Sequence, residues 1–180
     1  PSLDGLVAWW PGDSNTFDII GGHNGLLFGG ATYGAGTAGQ GFSFNGAGSY
    51  MEVPHSAALS LTNEFTIEMW YRDTRLTAYP YGLIAKRGVS VLPCNYGINN
   101  LSTGLGVYYN DPGVSDGDDA LSAYEASRLV TPPAKNVFHH LAATYRQVTP
   151  TTVELNTYVD GVLVRTRSIL GNLQNTINNE

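Results

Sequence analysis

A sugar hydrolase needs two carboxylates at about 5 to 10 Å, one protonated and one ionised. The nearest arrangement in this sequence is Glu64-Phe65-Thr66-Ile67-Glu68, where both glutamates can share one face of a strand. Glu64 stands at the strand's start, and the pair also reads as ordinary strand-end and strand-face carboxylates. No Gly-x-Ser-x-Gly elbow and no His-Glu-x-x-His zinc pattern occurs. His139 and His140 are adjacent in a strand, so their imidazoles point to opposite faces and cannot chelate one ion together. No catalytic residue is assigned, and the chain is read as a non-enzyme.

Hard cations take several oxygen ligands, mixing carboxylates with turn carbonyls. Two loops offer them. The first holds Asp13, Asp18 and Asn24 among Gly21, Gly22 and Gly25. The other reading of this loop is a turn in which Asp18 caps backbone amides. The second runs from Asp111 to Asp119 and carries Asp111, Asp116, Asp118 and Asp119. These carboxylates repel one another unless solvated or neutralised. Asp116 and Asp118 are the candidate calcium ligands there, a solvated loop being the alternative.

Sugar sites stack a pyranose on an aromatic plane and orient it with a few polar groups. The candidates are Tyr79, Tyr81, Tyr96, Tyr108, Tyr109 and Tyr124, gathered in the middle of the chain. Most tyrosines simply finish a sheet face, and Tyr is abundant throughout. Trp9, Trp10 and Trp70 read as core or core-edge residues.

The elements that must position these groups are strands. Phe65, Ile67, Met69 and Tyr71 alternate with Thr66, Glu68 and Trp70, the period of a strand with one face in the core. Phe42-Ser43-Phe44, Leu83-Ile84-Ala85, Leu105 to Tyr109 and Leu141 to Tyr145 are further strands. Gly29 to Gly41 reads as strand-turn-strand. Asp160-Gly161 lies between two β-rich runs, a strong hairpin signal. A two-residue turn sets Val159 opposite Val162, Tyr158 opposite Leu163, Thr157 opposite Val164 and Glu154 opposite Arg167. Asp118 to Leu129 is read as a loop.

Composition agrees. Charged residues are 13% of the 180, about half the usual share. With 22 glycines and 11 tyrosines, the chain suits many short strands and tight turns. Hydrophobic residues at 42% and a net charge of -6 argue against disorder and against nucleic acid, which needs clustered Lys and Arg. Cys94 stands alone, so no intrachain disulfide forms, and it reads as a small packed residue. No apolar run reaches bilayer-spanning length. No signal peptide is visible. The chain opens at Pro1 without a Met, as a processed or excised piece would.

Several segments together resemble the laminin-G-like jelly rolls of the concanavalin A-like class. They are Gly5 to Asp13, Asp18 to Gly25, Phe42 to Gly46, Ser49-Tyr50 with Val53-Pro54, Phe65 to Trp70, His140 to Tyr145, and Tyr158 to Gly161. The resemblance implies an all-β, two-sheet antiparallel jelly-roll sandwich over 1–180. It also implies structural calcium at Asp18 and Asn24, completed by an acidic residue on a final strand. Phe138 stands where the family usually has Trp. The central Asp of the related hydrolases' Glu-x-Asp-x-x-Glu pattern is missing. The family continues past the hairpin with a strand and a Gly-rich closing strand, whereas this chain stops at Asn178-Asn179-Glu180. One sheet edge is therefore expected open, as if the final strands were lacking.

The expectation is an extracellular or cell-surface recognition module for glycan or a protein surface, lectin-like or adhesive, with possible calcium. It spans no membrane. The alternative is an assembly module that completes its sheet with a neighbour's strand. A glycoside hydrolase is the third reading.

Overall fold

A computed structural model describes residues 3–75, 81–87, 94–101, 104–109 and 133–175, with the backbone alone at Tyr81, Arg87, Cys94, Asn95, Asn100, Leu101, Gly104, Tyr108 and Asn175. The chain is all-β, and its strands pair antiparallel. It divides into two compact units, Pro1–Leu59 and Ser60–Glu180. The expected loop from Asp118 to Leu129 lies outside the described residues.

The first unit holds β1 (Leu26–Phe28), β2 (Thr32–Ala35), β3 (Gln40–Ser43) and β4 (Tyr50–Glu52). β2 and β3 form the hairpin expected within Gly29 to Gly41, closed where Gly36 donates to the Gly39 carbonyl at 3.1 Å. Tyr33 lies opposite Phe42, their rings 5.9 Å apart. β1 pairs with β4, and Phe28 stacks on Tyr50 at 5.0 Å.

The second unit holds β5 (Phe65–Tyr71), β6 (Tyr81–Arg87), β7 (Cys94–Leu101), β8 (Gly104–Tyr109), β9 (His139–Thr149), β10 (Thr152–Val159) and β11 (Val162–Leu170). They make one sheet ordered β11-β10-β9-β5 and a second ordered β6-β7-β8. Alternation decides what each strand buries. Ile67, Leu141, Ala143, Tyr145, Val153 and Leu155 turn inward from the first sheet. Tyr96, Ile98, Leu105, Val107 and Tyr109 meet them from the second. Phe65 stacks on Tyr145 at 4.3 Å and tilts against Tyr96 at 5.0 Å. Each fully buried apolar side chain contributes about 1.5–3 kcal/mol, and this shared core holds the two sheets face to face.

The β10–β11 hairpin corrects the expected register. Asp160 and Gly161 take φ of 51° and 78°, as a two-residue turn with left-handed centres requires. Val159 faces Val162 and Tyr158 faces Leu163 as expected. The register then shifts at Val164, so Thr157 faces Arg165 and Glu154 faces Ser168. This extra residue brings Ile169 opposite Val153, where it packs on the core. Glu154 finds its cation on the other neighbour, Arg146 of β9, at 2.9 Å.

Trp70 is a second correction. With Phe65, Ile67, Met69 and Tyr71 in the inward phase, Trp70 faces out and is 57% exposed. Strand phase outweighs the general preference of tryptophan for the interior. Trp9 is also exposed.

Candidate functional site

The turn from Asp18 to Gly25 is built around one carboxylate. Asp18 Oδ1 accepts the N–H of Trp9 at 2.8 Å and of Ile20 at 3.0 Å. Its Oδ2 accepts those of Gly21 at 3.1 Å and His23 at 3.0 Å. Asp18 is 5% exposed. Burial pushes its pKa up, but the four backbone donors together outweigh burial and hold the carboxyl below its ordinary value. Asn24 Oδ1 in turn accepts the Asp18 N–H at 3.0 Å. Trp10 Nε1 donates to the His23 carbonyl at 2.8 Å. A Cβ at Gly21 would lie 2.6 Å from the Val7 carbonyl oxygen and 2.7 Å from His23 Cε1, so the close approach needs glycine.

In this geometry the candidate calcium ligands Asp18 and Asn24 both accept backbone N–H groups. The oxygens that a cation would need already face N–H hydrogens, which point positive partial charge at them. Asp18 acts as the acceptor that fastens the turn, the alternative weighed from sequence. Among the described residues, no group of three or more His, Cys, Asp or Glu could hold a metal ion. Asp116 and Asp118 lie outside the described residues.

Two of the six tyrosine candidates are corrected. Tyr96 is 7% and Tyr109 2% exposed, both in the core between the sheets. Burial pushes the Tyr96 phenol up to about 12, and the Tyr109 hydroxyl donates to the Asn172 carbonyl. Neither ring has a face open to a sugar. Tyr81 and Tyr108 are backbone positions in β6 and β8, paired with Asn100 and Gly97. Tyr79 and Tyr124 lie outside the described residues.

The outward face of the β11-β10-β9-β5 sheet assembles groups that the sequence left scattered. Trp70 is opposite His140, and Glu68 is opposite Ala142. Ala142 is followed by Tyr158 and then Leu163 in the same row. The next row runs Thr66, Thr144, Asn156, Thr166, tied where Thr166 Oγ1 donates to Asn156 Oδ1 at 2.6 Å. The Trp70 indole meets the His140 ring edge-on at 5.3 Å and 60°. His140 Nε2 lies 3.6 Å from Glu68 Oε2, whose side chain is 66% exposed. Glu64, the other half of the candidate hydrolytic pair, is exposed beyond the first residue of β5.

The hairpin turn anchors this corner of the sheet. Asp160 Oδ1 accepts the His140 N–H at 2.9 Å, and Oδ2 lies 2.7 Å from His139 Nδ1. Those bonds, led by the one with His139, hold the Asp160 carboxyl below its ordinary value. His139 Nε2 faces the Ala134 carbonyl at 3.2 Å. The adjacent histidines thus serve opposite faces, as strand geometry requires, and the latch fixes the backbone that carries His140 beneath Trp70.

A laminin G family model of the Concanavalin A-like lectin/glucanases superfamily matches residues 45–180. The chain belongs to this family. The matched segment contains every strand from β4 to β11, hence the whole Trp70 face, and leaves out the Asp18 turn. Neither the curated proteins nor the solved structures contain a match to the chain. A laminin-G-like chain is lectin-like in its general class, and the ligand must be argued from its own residues. Among the described residues, no helix is long and apolar enough to cross a membrane. The signal that could have found Trp70 was its place in the outward phase of β5.

Proposed function

We propose that this laminin-G-like chain is a non-catalytic, extracellular recognition module of a larger secreted or surface protein. It holds a glycan or a protein surface on the outward face of the β11-β10-β9-β5 sheet. The supporting observation is the exposed Trp70 indole, in contact with His140 and flanked by the Glu68 carboxylate. Exposed aromatics beside orienting polar groups suit stacking recognition, and a strand fixes their spacing more rigidly than a loop. Calcium, in this proposal, is held by Asp116 and Asp118. The test is a glycan and protein-ectodomain array read with wild-type protein and Trp70→Ala. Hits that disappear in the variant support the proposal. An array empty for both proteins, or hits indifferent to Trp70, refutes it.

Strand addition is the second reading. Among the described residues, β11 pairs only with β10, and its Val162, Leu163, Val164 and Leu170 are exposed. An apolar strand edge invites pairing with a neighbour. Oligomers that grow with concentration, and vanish on a proline substitution in β11, would establish it; a monomer at high concentration would exclude it.

A further inference from the structure

We propose that the Trp70–Glu68–His140 cluster receives an organic ammonium group carried on an apolar stem or ring. This rests on the reading of the outward sheet face as the binding surface, and it names the chemistry bound there.

Glu68 and Trp70 are two residues apart on one strand face, so their Cα atoms are about 7 Å apart. A ligand can span that distance with a single group. The indole and the His140 ring meet at 60° with centroids 5.3 Å apart, and Trp70 remains largely exposed. The face of an indole is the side chain surface that best attracts cations. The Glu68 carboxylate accepts hydrogen bonds, and an ammonium has three N–H donors to give. A neutral hydroxyl can satisfy Glu68 but gains nothing from the ring's quadrupole. An ammonium gains from both.

Nearby charges point the same way. Arg146, on the same face, is occupied by Glu154 at 2.9 Å. Arg72 covers the Phe138 ring at 4.5 Å. Among the described residues, His140 Nε2 lies 3.6 Å from Glu68 Oε2, outside hydrogen-bond range. Beside Glu68 in the same row lie Ala142, Tyr158 and the exposed Leu163, which give an apolar row across the sheet. That apolar row is the surface for the stem or ring that carries the ammonium. Two sources share this chemistry, an amino sugar with a free amine and a lysine side chain of a protein.

Calorimetric titration of the full chain at neutral pH tests it with three probes: a glucosamine trisaccharide, its fully N-acetylated counterpart, and Nα-acetyl-lysine amide. The glucosamine trisaccharide is expected to bind, and the N-acetylated one at least tenfold more weakly. Glu68→Gln and Trp70→Ala should each weaken binding at least tenfold, with unchanged circular dichroism. Both side chains are exposed, so folding is not at stake. Equal affinity for the two trisaccharides, or full affinity in Glu68→Gln, overturns the ammonium assignment and leaves glycan recognition standing. Binding of the lysine amide alone supports the assignment and moves the partner to a protein. No binding of any probe overturns it.

Discussion

Trp70 and His140 meet edge to face across the β5–β9 pair, ring centroids 5.3 Å apart and planes at 60°. The contact is on the outward face, so it organises a surface rather than a core. Trp70→Ala should therefore change stability by less than about 1 kcal/mol, while abolishing array binding. His140→Ala should leave the indole in place but loosely held, weakening binding less than Trp70→Ala does. Urea unfolding and array titration on the same preparations separate the two effects.

Asp18→Ala should behave in the opposite way. It strips four backbone N–H groups of their acceptor, which costs roughly 2–4 kcal/mol where the loss is buried. Because the folded pKa lies below the ordinary carboxylate value, the Asp18 contribution is complete above about pH 4. It fades as pH falls through the lower folded value. Chemical unfolding between pH 7 and pH 2 should show wild type losing its margin over Asp18→Asn only in that acid range. A margin that is constant with pH would count against the carboxylate's role.

The strands of the second unit were legible because hydrophobic alternation is local. Phe65 to Tyr71 fixes its inward phase from its own residues, and that phase already placed Trp70 outside. Residue type argued the other way for Trp70 and was the weaker guide. Tyr96 and Tyr109 misled for a related reason: a tyrosine with a buried ring and a satisfied hydroxyl looks, in sequence, like a binding-site tyrosine. The Val164 bulge was not legible, since it is decided by what Ile169 meets on β10. Nor was the Trp70–His140–Glu68 cluster, whose members come together only when β9 pairs with β5 across about 70 residues.

Gly161→Ala should destabilise the chain by about 1 kcal/mol, because Gly161 sits at φ 78° with open space around its Cα. Backbone strain alone is at work, with no steric collision. The melting temperature should fall by about 2–4 °C. A loss much larger than this would mean that the turn's hydrogen bonds to His139 and His140 break as well.

Tyr109→Phe and Tyr145→Phe separate core from site. Tyr145 donates its hydroxyl to the Gly97 carbonyl at 3.1 Å in full burial, and Tyr109 donates to Asn172. Removing either hydroxyl leaves a carbonyl short of one donor, a loss of about 1–2 kcal/mol. Ligand affinity at 25 °C should not change for either variant, since both rings lie between the sheets. A tenfold affinity loss in Tyr109→Phe would return that residue to the binding site.

Calcium is tested by contrast between two loops. A cation that binds only the folded chain raises the melting temperature by mass action. If Asp116 and Asp118 hold it, wild type and Asp18→Asn should show the same rise between EDTA and millimolar calcium, from different starting points. The double variant Asp116→Asn/Asp118→Asn should show none. The Asp18 oxygens already face four N–H donors, so removing their charge lowers the whole curve without altering its calcium dependence. A calcium response that disappears in Asp18→Asn and survives in the double variant would reverse both assignments. It would require the amides of Trp9, Ile20, Gly21 and His23 to turn away when the ion enters.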